Sequence, residues 1–262
     1  MIQLIIIIIG ILVLAAIFFR RYMATEKGVV AFQFPGRRKN IFDYFHFILE
    51  KGSDLEITVD ELIPDKSMVD PKNATKAEIL SNKADASINK GDIKNAQKFL
   101  IQSLALDPSN LQVYHKLGLL YLRQGQFSKA ENMYRKLILS LPTDPVFNSN
   151  LGLALYQQKK LEEAKSFYQK AIELDNTRAG RFFSLGQILN ELGEFEHALD
   201  HLRKAIELDP RNLDYLLTLA QVYSDRAMAQ EAQQLLGEIL ALYPDNALAL
   251  EMMQKIQKPK QD

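Results

Sequence analysis

Two histidines four residues apart, His197 and His201, form a pair whose types and spacing could bind a metal ion. On a helix this spacing places both imidazoles on one face, and Glu196 and Asp200 lie beside them. The segment reads His-Ala-Leu-Asp-His, so it lacks the glutamate that follows the first histidine in the hydrolytic zinc motif. We therefore expect both histidines on a solvated outer helix face, and we expect no metal site.

Other catalytic chemistry is absent from the sequence. The chain has no cysteine, which excludes disulfides, thiol nucleophiles and thiolate zinc sites. It contains no glycine-rich phosphate loop and no nucleophile elbow. Lys and Arg total 32, as do Asp and Glu, so no global field attracts a nucleic acid. We expect a protein that is not an enzyme, with no cofactor and no nucleic-acid partner.

Three series of residues recur along the chain at intervals of 34 residues. Alanine recurs at Ala96, Ala130, Ala164, Ala198 and Ala232. A small residue recurs at Ala84, Gly118, Gly152, Gly186 and Ala220. Proline recurs at Pro108, Pro142, Pro210 and Pro244, and Asn176 takes its place once. Five copies with one fixed period are typical of a solenoid of helix–turn–helix units.

The second copy carries the most complete motif. Counted with Leu111 as position 1, its motif residues are Tyr114, Leu117, Gly118, Tyr121, Gly125, Ala130, Tyr134 and Pro142. This pattern resembles the tetratricopeptide repeat, and the resemblance covers about two thirds of the chain. It implies an all-α fold, a right-handed solenoid of five repeats followed by a C-terminal capping helix.

The small residues at position 8 predict close contact between the two helices of each unit. A glycine inside a helix costs roughly 1 kcal/mol against alanine, so it needs a packing reason. We expect position 8 to face the alanine at position 20, and position 24 to fill the space between units. Asn148 is an outlier, because the family prefers a bulky apolar residue at position 4.

The expected organisation has three parts. Residues 1–23 form a membrane anchor, residues 24–72 a juxtamembrane linker, and residues 73–262 the repeat domain. The repeats are expected at 77–110, 111–144, 145–178, 179–212 and 213–246, with a capping helix at 247–258. Thr75 and Glu78 have the spacing of a capping box, which predicts a helix start just before the first repeat.

Residues 2–19 form an almost pure hydrocarbon run. A helix of this length covers about 27 Å, enough to span a bilayer core. A cleaved signal peptide fits less well, because no basic residue precedes the run and no small-x-small site ends it. Basic residues follow the run, beginning with Arg20 and Arg21. The positive-inside rule then predicts a single-pass protein of the plasma (inner) membrane with its repeats in the cytoplasm.

The segment from 24 to 72 contains a basic block at 36–39 followed by an aromatic-rich block at 40–49. Basic residues beside aromatics suit an anionic membrane surface, so 36–49 is a candidate lipid contact. The alternative is that the apolar block covers the first repeat. After Glu50 the segment becomes acidic and contains two prolines, which is typical of a linker.

In the resembled family, positions 2, 5, 6, 9, 12 and 13 of each first helix line a concave groove that receives a peptide or helix. We call these positions the groove face. The candidate partner-binding residues on it are Lys116, Leu119, Arg123, Asn150, Leu153, Tyr156, Gln157, Phe183, Gln187, Asn190 and Gln221. Their mix of apolar and amide side chains suits an extended segment, because amides hydrogen-bond to a peptide backbone. The expected function is a membrane-anchored scaffold or adaptor for a protein or peptide partner.

Two more specific functions known for related layouts agree with the sequence only in part. The family's clamp for a chaperone's C-terminal carboxylate would require Lys, Asn and Arg where this chain has His115, Leu119, Asn150, Gly180 and Ser184. Only Asn150 matches, so we exclude that clamp. The layout of one anchor followed by repeats also resembles lipopolysaccharide assembly protein B, a regulatory adaptor of envelope biogenesis. That resemblance is one of layout, because this chain has fewer repeats and no cysteine metal module.

Overall fold

The computed structural model describes residues 69–257, and within this range all regular structure is α-helical. The range contains eleven helices, which we label α1 to α11 in chain order. Their bounds are Pro71–Asn89, Ile93–Leu106, Leu111–Arg123, Phe127–Ser140, Pro145–Gln157, Leu161–Leu174, Ala179–Glu191, Phe195–Leu208, Leu213–Asp225, Ala229–Leu242 and Ala247–Gln257.

The first ten helices pack as five consecutive pairs, from α1 with α2 to α9 with α10. The second helix of each pair also packs against the first helix of the next pair. The last helix, α11, packs on α9 and α10. These contacts confirm the all-α helical repeat array expected from the sequence, with the apolar core between successive helices.

The turn between the paired helices requires one residue with left-handed backbone angles. Gly91, Gly125 and Gly193 supply it, with φ of 74°, 69° and 82°. Lys159 and Ala227 occupy the same turn position in the other two units, with φ of 61° and 56°. A left-handed conformation costs a residue with a side chain roughly 1–2 kcal/mol. Units 3 and 5 therefore carry local backbone strain that the other units avoid.

Helix α1 begins earlier than the sequence predicted. Asp70 is its N-cap, and the carboxylate accepts a hydrogen bond from the Lys72 amide at 2.8 Å. Pro71 follows at the first helical position, where its fixed φ suits the helix. The capping box predicted at Thr75 is wrong, because the Thr75 hydroxyl lies inside the helix and donates to the Pro71 carbonyl oxygen.

The glycines at position 8 make room for the side chain at position 24. A Cβ on Gly152 would lie 2.8 Å from the nearest ring atom of Tyr168, and a Cβ on Gly118 equally close to Tyr134. The expected contact with position 20 is therefore secondary, since the bulky ring fills the space first. Gly186 combines both contacts, with Leu202 at 2.8 Å and the carbonyl oxygen of Ala198 at 3.2 Å.

Two departures from the repeat pattern have local explanations. Asn148 is fully buried, and its side-chain nitrogen donates to the carbonyl oxygens of Pro142 and Asp144 at 3.2 and 2.7 Å. It therefore holds the preceding loop rather than filling the core. Where Asn176 replaces proline, the Arg181 guanidinium donates to the backbone oxygen and the carboxylate of Asp175, both at 2.7 Å. Side-chain hydrogen bonds thus fix this loop in place of a proline ring.

The membrane predictions concern parts of the chain that the structure does not describe. Between residues 69 and 257, no helix is long and apolar enough to cross a bilayer. The predicted anchor at 1–23 and the candidate lipid contact at 36–49 lie outside the described residues, as does the tail at 258–262.

Candidate functional site

The predicted groove residues all lie on the first helices of units 2 to 5. Lys116, Leu119 and Arg123 lie on α3, and Gln221 lies on α9. Helices α5 and α7 carry the central seven, which are Asn150, Leu153, Tyr156, Gln157, Phe183, Gln187 and Asn190. None of the eleven side chains belongs to the fully buried core, so every one is at least partly accessible.

Contacts between groove positions show that the first helices of successive units lie side by side. The Lys116 ammonium reaches back from α3 to α1, where it donates to the Asp85 carboxylate at 2.7 Å and the Ser81 hydroxyl at 3.1 Å. All three residues occupy groove positions of the first two units. The charge of Lys116 is therefore balanced within the fold and is a poor candidate for binding an anion.

A second cross-unit cluster joins α5 to α7. The Tyr156 hydroxyl donates to one carboxylate oxygen of Glu191 at 2.5 Å, and the Lys159 ammonium donates to the other at 2.9 Å. The same ammonium lies 5.5 Å from the centroid of the Tyr156 ring. The hydrogen bonds from Tyr156 and Lys159 hold the pKa of Glu191 below its usual range. Burial and the nearby carboxylate raise the pKa of Tyr156, so the tyrosine is neutral at physiological pH.

Three more predicted groove residues are engaged within the fold. The Asn150 side-chain nitrogen donates to the Tyr134 hydroxyl at 3.1 Å. The Phe183 ring packs on Tyr215 of the next unit, with 4.5 Å between ring centroids. Gln221 donates to Asp225 on its own helix at 2.6 Å. Each of these side chains thus has a partner within the fold, and together they shape the groove face.

The remaining six predicted residues form the available part of the groove face. Leu119 and Leu153 are half-buried apolar side chains at position 9 of units 2 and 3. The side-chain amides of Gln157, Gln187 and Asn190 make no hydrogen bond to any group in the described part of the chain. The guanidinium of Arg123 forms no ion pair there either. Two apolar side chains and three free amides therefore lie together on the groove face of α3, α5 and α7.

The repeat identity follows from comparison with known families. Profiles of the tetratricopeptide repeat match residues 77–110, 115–179 and 189–256. Together these matches cover more than half of the 262-residue chain. The chain belongs to the tetratricopeptide repeat family. Members of this family are typically non-catalytic.

Solved tetratricopeptide repeat structures resemble this one in fold. A crystal structure of MamA is 24% identical, with a TM-score of 0.57, over 66% of this chain and 95% of that one. YrrB, described as a TPR protein with an unusual peptide-binding site, is 23% identical with a TM-score of 0.61, over 70% and 94%. A repeat protein from Parabacteroides merdae is 17% identical with a TM-score of 0.63, over 70% and 72%. No curated protein matches the sequence.

The two histidines that could have bound a metal lie on α8, the second helix of the fourth tetratricopeptide repeat. His197 is exposed, as expected. The prediction of a solvated face is wrong for His201, which is half-buried and stacks on Phe182 with 5.8 Å between ring centroids. Burial lowers the pKa of His201, which favours the neutral ring. Among the described residues, no cluster of three or more His, Cys, Asp or Glu side chains could hold a metal ion.

Sequence reasoning missed three residues that border or line the groove of this tetratricopeptide repeat protein: His115, Lys159 and Glu191. His115 packs on Phe147 at 5.2 Å, its buried Nδ1 has no hydrogen-bond partner, and burial lowers its pKa. Lys159 left a signal in the sequence, because it replaces the turn glycine of three other units. Glu191 also left a signal, because it occupies groove position 13 of unit 4, but its partners lie 35 and 32 residues away in the preceding unit and could not be predicted.

Proposed function

We propose that this protein is a membrane-anchored scaffold that binds an extended protein or peptide segment along the groove face of repeat units 2 to 4. The tetratricopeptide family supplies the concave groove, and the helices α3, α5 and α7 supply its lining. The N-terminal hydrocarbon run would hold the protein in the plasma membrane, with the repeats in the cytoplasm.

The observation that carries the proposal is the group of free amides on α5 and α7. Gln187 and Asn190 are half-buried, yet neither side chain has a hydrogen-bond partner within residues 69–257. The amide nitrogen and oxygen atoms of both side chains remain open to solvent, so a bound segment can replace water at them. A peptide backbone offers both the donor and the acceptor that such an amide needs. The half-buried Leu153 and Tyr156 provide adjacent apolar surface for the segment's side chains.

The similarity to YrrB is consistent with this proposal. YrrB is described as having an unusual peptide-binding site, and its fold matches 70% of this chain. At 23% identity the match shows the fold alone, so the binding role assigned to this chain depends on its own groove residues.

A comparative pull-down tests the binding role. The full-length protein, extracted in mild detergent, is compared with a Gln187→Ala, Asn190→Ala double variant. The matched control is Gln169→Ala with Gln233→Ala, which removes two exposed amides from the outer helices α6 and α10. We expect proteins captured by the wild type and the control to be lost from the groove variant. Capture that depends on the outer pair and not on the groove pair would contradict the proposal.

The position of the repeats relative to the membrane is tested by reporter fusion. Alkaline phosphatase fused after Asp262 should be inactive in a bacterial host, because the enzyme needs an oxidising compartment. Replacing the basic residues Arg20 and Arg21 by Gln should weaken this orientation. An active fusion of the wild-type protein would reverse the proposed topology.

A further inference from the structure

Among the described residues, the groove face carries unpaired charges of opposite sign in units 2 and 5 and no unpaired charge in units 3 and 4. In unit 2, Arg123 is exposed and forms no ion pair with any described residue. Unit 3 has no charged residue at a groove position. In unit 4, Glu191 is balanced by Lys159 at 2.9 Å. In unit 5, Asp214 and Asp225 are exposed and without an ion pair among the described residues.

The carboxylate of Asp225 lies at an unfavourable end of its own helix, and one hydrogen bond from the preceding turn offsets this in part. Asp225 is the last residue of α9, where the partial negative charge of the helix end makes an anion unfavourable. Its only hydrogen bond within the described range from another side chain comes from Gln221 at 2.6 Å. Arg123 and Asp214 differ from Asp225, because each stabilises its own helix. Arg123 is a cation in the last turn of α3, and Asp214 is an anion in the first turn of α9.

We infer that the groove binds an extended segment with an acidic residue over unit 2 and a basic residue over unit 5, joined by an uncharged stretch. The inference rests on the proposed binding role of the groove and adds the charge pattern of the partner. Arg123 pairs with the partner's acidic residue, and Asp225 pairs with its basic residue. The free amides of Gln187 and Asn190 lie between the two ends and hold the uncharged backbone.

The two charges set the length of the bound segment. Arg123 and Asp225 occupy the same repeat position three units apart. Neighbouring packed helices lie about 8–10 Å apart, so three steps span roughly 24–30 Å. An extended chain covers about 3.3 Å per residue, so roughly seven to nine residues separate the partner's two charges.

A displayed library of random 16-residue peptides, selected on the full-length protein in detergent, tests the charge pattern. We expect the selected peptides to carry one acidic and one basic residue about seven to nine positions apart. Selection on an Arg123→Glu, Asp225→Lys double variant should return the opposite polarity. Peptides without this pattern, or with a polarity that the double variant leaves unchanged, would overturn the inference.

A single substitution that removes the charge of Asp225 distinguishes an effect on peptide affinity from an effect on stability. Asp225→Asn should weaken a wild-type-selected peptide about two- to fivefold, the range of one exposed ion pair, and added salt should reduce that difference. The melting temperature should hold or rise, because an unfavourable charge leaves the end of α9. The matched control is Glu173→Gln, which removes an exposed carboxylate from the last turn of the outer helix α6 and should leave affinity unchanged.

Failure of this inference is distinguishable from failure of the proposed function. If the selected peptides lose affinity for the Gln187→Ala, Asn190→Ala variant but show no charge pattern, the groove binds and only the inferred polarity is wrong. If peptides bind that variant as tightly as the wild type, or if none are selected, the proposed groove function fails and the inference fails with it.

Discussion

Positions 8 and 9 of the first helices are neighbours in sequence, yet they vary in different ways. Position 8 is Gly118, Gly152 and Gly186 in units 2 to 4, and each glycine lies against the side chain at position 24. Position 9 is leucine in units 2 and 3 and glutamine in units 4 and 5. The interior position is fixed by contact within the unit. The groove position has no such constraint within the unit, so its residue type can change from one unit to the next.

The largest effect should come from filling the interior position. Gly152→Ala places a methyl group 2.8 Å from the buried ring of Tyr168, and the overpacking should cost about 1–3 kcal/mol. The matched control is Gly237→Ala in α10, where an added Cβ meets nothing within 4 Å. That change should stabilise the protein by up to about 1 kcal/mol. Calorimetric melts that shift equally for both variants would contradict the packing described for position 8.

An intermediate effect is expected at Lys160, the residue that precedes the outer helix α6. Its ammonium lies 2.9 Å from the nearly buried carboxylate of Glu131, which also receives hydrogen bonds from Gln158 and Arg135. Lys160→Ala should therefore destabilise the protein by about 1–2 kcal/mol, since Glu131 loses one of three partners. Lys94→Ala, at an exposed site without an ion pair in the described range, should change little.

The same cluster predicts a pH dependence. Burial raises the pKa of Glu131, but hydrogen bonds from Lys160, Gln158 and Arg135 together outweigh it and leave the pKa below its usual range. The stabilisation is therefore present above the unfolded pKa, about 4.3, and is lost as the pH falls through that value towards the folded pKa. The difference in stability between wild type and Lys160→Ala should shrink below about pH 4 in denaturant titrations. A constant difference down to pH 3 would contradict this role of Glu131.

The smallest effect should come from the strained turns. Ala227→Gly should stabilise the protein by about 0.5–1 kcal/mol, because glycine adopts a positive φ without steric cost. Lys159→Gly relieves the same strain but removes the contacts with Glu191 and the Tyr156 ring, so its gain should be smaller. Equal gains in melting temperature would mean that the Lys159 side chain contributes nothing to the junction of units 3 and 4.

Much of the fold could be predicted from the sequence, because the repeat period depends on local spacing. The interval of 34 residues placed the glycines, the turns and the five helix pairs. The contacts of the groove residues were harder to predict. Asn150 donates a hydrogen bond to Tyr134 and Tyr156 donates one to Glu191, and both acceptors lie in neighbouring units. Those partners depend on how successive units pack, and spacing within one repeat carries no information about that. The predicted partner-binding residues therefore included several that the fold already uses.

The most direct measurement of groove binding follows the side-chain amides themselves in proton–nitrogen correlation spectra. A peptide selected on the wild-type protein is titrated into the labelled protein, and the NH₂ signals of Gln187 and Asn190 are compared with those of Gln169 and Gln233 on the outer helices. Binding in the groove predicts saturable shifts of the first pair and none of the second. Shifts of the outer pair alone would show that the partner binds elsewhere on the repeats.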